Sequence, residues 1–239
     1  MWSADVLKYG EELETYARSL GADIYGVGSA AAYKELFPDK PSPQRFVPNA
    51  QSVIVLGLPF TVDTYASVIR PELTGLHRRA AEEVTSKGSS IQGAERYFLT
   101  EEMAILDREV RWVAYRLARK LEGDGYRAFH LPQGKADPRW LTAPFYHMPA
   151  MYLAGLGTVG LNCSILHPQF GPRLWVTSVI TDKALPHGSP LEEEVCTYCM
   201  DCVEACPVQA LDGQGGKQMF RCEAYGCCGT CQAICPIGK

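Results

Sequence analysis

The sequence predicts an α+β fold in two parts, a helix-and-strand body over residues 1–185 and a small cysteine-rich module over residues 186–239. Helical and strand periodicities alternate through the first part, and nine of the ten cysteines lie after residue 195. An apolar fraction of 46% gives a chain of 239 residues enough material for a core.

Residues 4–20 have helical spacing, with Leu7, Leu13, Tyr16, Ala17 and Leu20 on one side and Gly21 as the stop. Residues 23–27 follow as a strand. Residues 30–37 form a short helix ended by Pro38, and residues 40–49, with three prolines, form a loop. The β-branched run SVIVLGL over 52–58 reads as a buried strand. Pro71, Gly75, Gly88 and Gly93 break residues 61–98 into helix pieces joined by loops.

From Thr100 the pattern is regular. Met103, Leu106, Val110, Val113, Leu117 and Leu121 step by three or four, so one long amphipathic helix runs to about Glu122. Glu101 and Glu102 suit its first turn, and Gly123 its end. A strand over 127–131, a loop with Pro132, Gly134 and Pro138, a helix near 144–153 and a strand over 175–181 complete the body.

The net charge of −4 is unevenly placed. Seven acids and three bases from Glu192 onward account for all of it, so residues 1–191 sum to zero. No basic stripe of the kind that binds phosphate backbones is visible, and nucleic acid is not expected as a partner. The opening residues show neither a secretory signal nor a twin-arginine leader, and no apolar stretch is long enough to span a bilayer. A soluble cytoplasmic protein without membrane partners is expected. There, cysteines in this number point to metal rather than to disulfides.

Cys196-x2-Cys199-x2-Cys202-x3-Cys206-Pro207 is the spacing that holds iron–sulfur cubanes. Three cysteines at two-residue gaps wrap one cluster, while the fourth is carried onward. A looser run follows, with Cys222, then Cys228-x2-Cys231-x3-Cys235-Pro236. In two-cluster ferredoxins the fourth cysteine of each run ligates the other cluster. This pattern groups Cys196, Cys199, Cys202 and Cys235 on one 4Fe–4S cluster and Cys206, Cys222, Cys228 and Cys231 on a second. Cys227 is an alternative to its neighbour Cys228. Two zinc sites of four cysteines each are the competing reading, but those arrive as separated pairs rather than as a triple run closed by proline. Cys163, outside both runs, is expected as a buried small hydrophobe.

Gly155-Leu-Gly157-Thr-Val-Gly160 matches a dinucleotide fingerprint, with Asp182 about twenty residues beyond. Such a loop must open a crossover helix. Pro168, Gly171 and Pro172 leave no room for one, so a glycine loop leading into a hairpin of residues 164–167 and 173–181 is the expected structure.

The block Ala154-Gly-Leu-Gly-Thr-Val-Gly-Leu-Asn162, then Phe170-Gly-Pro-Arg173, then Val179-Ile-Thr-Asp182, leads into the first cysteine run. That succession resembles the cobalamin-dependent reductases, namely reductive dehalogenases and tRNA epoxyqueuosine reductases. Arg221-Cys222-Glu-Ala-Tyr and the run from Cys228 to Pro236 are most similar to the latter. The resemblance implies a nitroreductase-like core that holds cobalamin base-off, with the clusters feeding electrons to cobalt. It places Gly155, Gly157, Gly160 and Asn162 against the corrin or its nucleotide tail. It also implies a small-molecule substrate and a low-potential donor of ferredoxin or flavodoxin type. Leu161 stands where epoxyqueuosine reductases usually carry a lysine. The proton must come from a group protonated at neutral pH, and Tyr97, in the region where family members place a site tyrosine, is the candidate, followed by Tyr146 and His147. The alternatives are a non-catalytic electron carrier and a tRNA epoxyqueuosine reductase.

Overall fold

The computed structural model describes residues 2–70, 97–132 and 143–239, which fall into two compact units of three segments each. Met1–Pro59, Leu106–Thr158 and Leu174–Glu193 make the first unit; Phe60–Ile105, Val159–Arg173 and Glu194–Lys239 make the second.

The first unit opens with helix α1 (Ala4–Ser19), whose Ser3 side chain accepts a hydrogen bond from the Val6 amide at 3.4 Å. Strand β1 (Ile24–Ser29), helix α2 (Ala30–Leu36) and strand β2 (Ser52–Pro59) follow. β1 and α2 lie within a residue or two of where periodicity places them. Strand β3 (Ala128–His130) and strand β6 (Leu174–Thr181) complete a sheet of order β1-β2-β6-β3 in which every neighbouring pair is antiparallel. β2 runs through its interior and is buried from Ser52 to Leu58, so its apolar side chains need no alternation with polar ones.

Helix α4 (Tyr97–Gly123) starts three residues before Thr100 and is otherwise the long helix expected. Its stripe of Val110, Val113, Ala114, Leu117 and Leu121 packs with Leu13 and Ala17 of α1 and with Ile54, Leu56 and Val179 of the sheet. Helix α5 (His147–Leu153) lies against β1, where a side chain on Gly28 would come 3.1 Å from the Ala150 carbonyl.

His147 at the start of α5 is buried. Its Nε2 lies 3.2 Å from the Pro132 carbonyl, which can only accept, so that nitrogen carries the hydrogen. Nδ1 then accepts from the Ser178 hydroxyl at 2.9 Å. Burial pushes the imidazole down to about 4.

The second unit contains helix α3 (Val62–Ala66), strands β4 (Thr158–Val159) and β5 (Ile165–Leu166), and helices α6 (Asp201–Glu204), α7 (Met219–Ala224) and α8 (Thr230–Ala233). Of the pieces expected over 61–98, α3 and a 3-10 turn over Ser67–Ile69 are seen; residues 71–96 and the 133–142 part of the later loop lie outside the described residues. The expected hairpin is corrected: β5 pairs with β4, not with residues 173–181. A His167–Gly171 bridge closes the turn, but Pro172 has no amide to extend the ladder, and β6 pairs with β2 and β3 instead.

Residues 171–173 also hold the last residues of the chain. Gly171 has φ +57, and a side chain there would sit 1.9 Å from the Ile237 carbonyl. The Arg173 guanidinium donates to the Gly238 carbonyl at 2.7 Å and to the Phe60 carbonyl at 2.6 Å.

These contacts make two predictions. Because the folded His147 is far less basic than an unfolded one near 6.5, the unfolded chain binds more protons between about pH 6.5 and about 4. Stability is therefore present above that window and falls with acid through it, by up to about 1.4 kcal/mol per pH unit. Denaturant unfolding against pH should show that slope in the wild type and lose it in His147→Gln; equal slopes would contradict the assignment. Gly171→Ala should destabilise the protein by at least about 1–2 kcal/mol from the left-handed backbone alone. Gly123→Ala, with nothing within 4 Å, should be near neutral in the same assay.

Candidate metal centre

The first cysteine run wraps tightly because two of its spacers adopt the left-handed conformation, Tyr198 at φ 55 and Met200 at φ 67. Each costs roughly 1–2 kcal/mol for a residue with a Cβ, the kind of strain that clusters at functional sites. Both spacers lie at the surface, and Tyr198 donates its hydroxyl to the Glu194 carboxylate.

Cys196, Cys199 and Cys202 line one cavity with Cys235, the fourth thiol expected there, together with Leu161, Asn162, Leu166 and Met200. The cavity holds about 310 Å³ of space free of protein atoms, its open mouth included. Burial, and then the neighbouring thiolates of Cys199, Cys235 and Cys196, push the Cys202 thiol up to about 11. Mutual repulsion of this kind is relieved when the sulfurs bind a cation.

Cys206, Cys222, Cys228 and Cys231 form the second group. Burial raises the Cys231 thiol to about 11, lowered in part by the Lys217 cation and raised further by Cys222, Cys228 and Cys206. Cys206 Sγ accepts the Ala210 amide at 3.2 Å, and Cys228 Sγ lies 3.3 Å from the Thr230 hydroxyl. The structure thus brings Cys235 back to the first run and carries Cys206 forward to the second.

Among the described residues no three His, Cys, Asp or Glu side chains converge on one point as they would around a single metal ion. Tetrahedral zinc needs such convergence, with sulfurs ~2.3 Å from the metal. Thiolates that each bind a different iron of a cubane do not. The donor set, a triple run closed by proline whose three sulfurs line one cavity with Cys235, fits a cluster better than the separated pairs of a zinc site.

Two residues of this centre were not singled out from sequence. Lys217, carried inward by the turn that Asp212 builds on the Gln214 and Gly216 amides, faces Cys222, Cys231 and Cys227. Only its position between the two runs could have flagged it. Leu211 packs with Leu161 and Cys202 at the apolar base. Cys163 is half-buried rather than fully buried, against the same cluster, with φ 59 at the tip of a turn closed by the Cys163 amide on the Gly160 carbonyl.

The glycine block follows helix α5 and enters strand β4, not a crossover helix, and Asp182 accepts the Arg127 amide at 2.9 Å. That geometry excludes the dinucleotide reading. Gly155, at φ +71, would drive a side chain into the Ser189 carbonyl at 2.4 Å, and Gly160 would meet Leu166 at 2.6 Å. Gly157 is buried. Asn162 is buried, accepts the Ser164 amide at 3.1 Å and lines the first cysteine cavity.

Tyr97 is the first residue of α4, and its side chain lies outside the described residues. Tyr146 is half-buried with Lys40 Nζ 4.7 Å from its ring centre. His147 is neutral and sealed between Ser178 and Pro132, so it holds no imidazolium proton to give at neutral pH.

Comparison with known proteins is consistent with this centre. The family described as "4Fe-4S binding domain" matches residues 190–212. The epoxyqueuosine reductase of Bacillus cereus is 24% identical over 96% of this chain, and the chain spans 64% of that relative's length. The tetrachloroethene reductive dehalogenase of Sulfurospirillum multivorans is 30% identical over 36% of this chain and 22% of its own. Among solved structures, epoxyqueuosine reductase with a tRNA-Tyr stem loop superposes with a TM-score of 0.62 at 20% identity, over 97% of this chain and 65% of that one. A catabolic reductive dehalogenase bound to 3-bromo-4-hydroxybenzoic acid superposes with a TM-score of 0.68 at 18% identity, over 99% and 32%. Another, described as suggesting a mechanism for B12-dependent dehalogenation, gives 0.65 at 18%, over 98% and 32%.

The tRNA-bound neighbour corrects the expectation drawn from charge: a chain of this fold with neutral net charge over most of its length is not thereby excluded from acting on nucleic acid. Among the described residues no helix is long and apolar enough to cross a membrane. The chain is a mixed helix-and-sheet protein similar over nearly its whole length to epoxyqueuosine reductases and over part of it to reductive dehalogenases, with a match to a 4Fe–4S binding domain at residues 190–212.

Proposed function

We propose that this chain is an iron–sulfur reductase in which two 4Fe–4S clusters pass electrons to a base-off cobalamin for reductive chemistry on a small substrate. The observation that carries this reading is a shared cavity: Leu161 and Asn162, at the end of the glycine block, line the same space as Cys196, Cys199, Cys202 and Cys235. A group held along the glycine block would lie next to the first cluster, the arrangement that single-electron delivery requires.

In this reading Cys196, Cys199, Cys202 and Cys235 hold one cluster, and Cys206, Cys222, Cys228 and Cys231 the other. Residues 186–239 form the electron-delivering module and residues 1–185 the body that binds the corrinoid. Gly155, Gly157, Gly160 and Asn162 lie along the corrinoid. Gly155 and Gly160 also have a structural duty, since protein atoms already fill the space beside them. The support comes instead from Asn162, whose buried side chain accepts the Ser164 amide and lines the first cysteine cavity.

His147, His167 and His187 each have a ring nitrogen engaged by protein partners: the first by Ser178 and Pro132, the second by the Gln169 amide, the third by Ser52. With both ring nitrogens taken, His147 is not available to ligate cobalt. When bound, cobalamin supplies a strongly reducing cobalt centre that engages the substrate carbon or its leaving group. The protein positions the substrate, excludes water and delivers a proton. Tyr97 is the proposed donor, because a phenol stays protonated at neutral pH. A low-potential carrier of ferredoxin or flavodoxin type supplies the electrons. Modified tRNA is a second substrate class, favoured by the stem-loop complex of a structural neighbour.

Anaerobically isolated chain should contain stoichiometric corrinoid. Iron and sulfide without any corrinoid after reconstitution would favour an electron carrier that serves a partner enzyme. Tyr97→Phe should retain corrinoid and iron yet lose at least about a hundredfold in turnover, the low end of what a positioned acid contributes. Turnover should be followed with 3-bromo-4-hydroxybenzoic acid and with an epoxyqueuosine-bearing stem loop. Unchanged turnover on the active probe would discard that role.

A further inference from the structure

The second run holds one more cysteine than a four-iron cluster needs. Cys227 Sγ lies 3.8 Å from Cys222 Sγ, and the Cys227 amide donates to the Cys222 carbonyl at 2.9 Å. Gly226 at φ +80 and Cys227 at φ 50 fold the chain back sharply enough to set the two thiols side by side, five residues apart. Cys228, the next residue, is buried beside Thr230.

Sulfurs in contact cannot each bind a different iron of one cubane, since ligands at separate corners stand apart. Cys222 and Cys227 therefore compete for one corner. Both face Lys217, which also faces Cys231, so the cation marks a common centre around which Cys222, Cys227 and Cys231 are disposed. Either sulfur can carry the hydrogen they share.

We propose that Cys222 and Cys227 are interchangeable ligands of a single corner of the second cluster, Cys222 holding the iron and Cys227 standing ready to replace it. Replacement exchanges one thiolate for another: the Cys227 proton passes to the departing Cys222 sulfur, the Fe–S bond to Cys222 breaks as that to Cys227 forms, and no electron is gained or lost. This goes beyond a choice between Cys227 and Cys228, and it rests on the two-cluster reading above.

The test is iron and acid-labile sulfide in the full chain isolated anaerobically, with the low-temperature EPR spectrum of the reduced protein. Wild type must first contain iron for two clusters; a single cluster's worth, or zinc, would defeat the underlying reading before any variant is made. Given two, Cys222→Ala and Cys227→Ala should each keep the full iron content. Cys222→Ala should change the EPR spectrum while keeping the coupling of two clusters. The double variant should lose about half its iron and replace the coupled spectrum by the uncoupled signal of the one remaining cluster, which shows that it is folded. Loss of half the iron from Cys222→Ala alone, or its full retention in the double variant, would overturn the shared corner. Where alanine at 222 costs both clusters, Cys222→Val, which keeps the site filled but offers iron no ligand, takes its place, and loss of half the iron there would also overturn the shared corner.

Discussion

Cys235 must return to thiols thirty-three or more positions earlier in the chain, and the rest of the centre depends on that return. A C-x2-C-x2-C loop offers three sulfurs from one short stretch, and the fourth has to be delivered by a different part of the chain. Here it is delivered by a strap of backbone contacts. Gly171 gives up its side chain so that Ile237 and Gly238 can press against it, and the Arg173 guanidinium fixes the Gly238 and Phe60 carbonyls. Charge-assisted hydrogen bonds to carbonyls are among the stronger ones a protein makes, and two from one rigid fork hold direction as well as distance. The segment Phe170-Gly-Pro-Arg173 thus acts as a latch for the cysteine module, a role its sequence does not announce.

The cysteine module also illustrates how a small core manages without much apolar surface. Leu161, Leu211 and Cys202 are its buried hydrophobic residues in one cluster, and most of the remaining packing partners are cysteines. Burial and crowding raise the thiols of Cys202 and Cys231, a cost that binding a cation relieves. Metal binding and folding of such a module are coupled, because ligation supplies the cohesion that side-chain packing does not. The left-handed Tyr198 and Met200 are part of the same balance: the wrap is strained where it turns the sulfurs toward one cavity.

Much of this was legible in the sequence because it depends on spacing. The cysteine runs fix which sulfurs can share a centre, and β2 and α4 declare themselves through an uninterrupted β-branched stretch and a regular apolar stripe. The exclusion of a dinucleotide loop was legible too, since Pro168 and Pro172 forbid the helix it needs. The misplaced hairpin shows where local reading stops. Residues 164–167 and 173–181 have the right patterns to pair, but register is decided by competition for partners, and β2 offers β6 a far longer ladder. Lys217 and the pairing of Cys222 with Cys227 were not legible because each depends on a reversal by residues such as Gly216 and Gly226, whose local conformation gives little hint of what it brings together.

The cysteines and their geometry define the metal-binding part of the chain. The account therefore stands or falls on what those thiols hold. Iron and acid-labile sulfide per chain, read together with EPR of the reduced protein, test it most directly. Two cubanes held by crossed runs predict about eight of each and a spectrum broadened by spin coupling between neighbouring clusters. Zinc without sulfide, or two uncoupled signals, would contradict it.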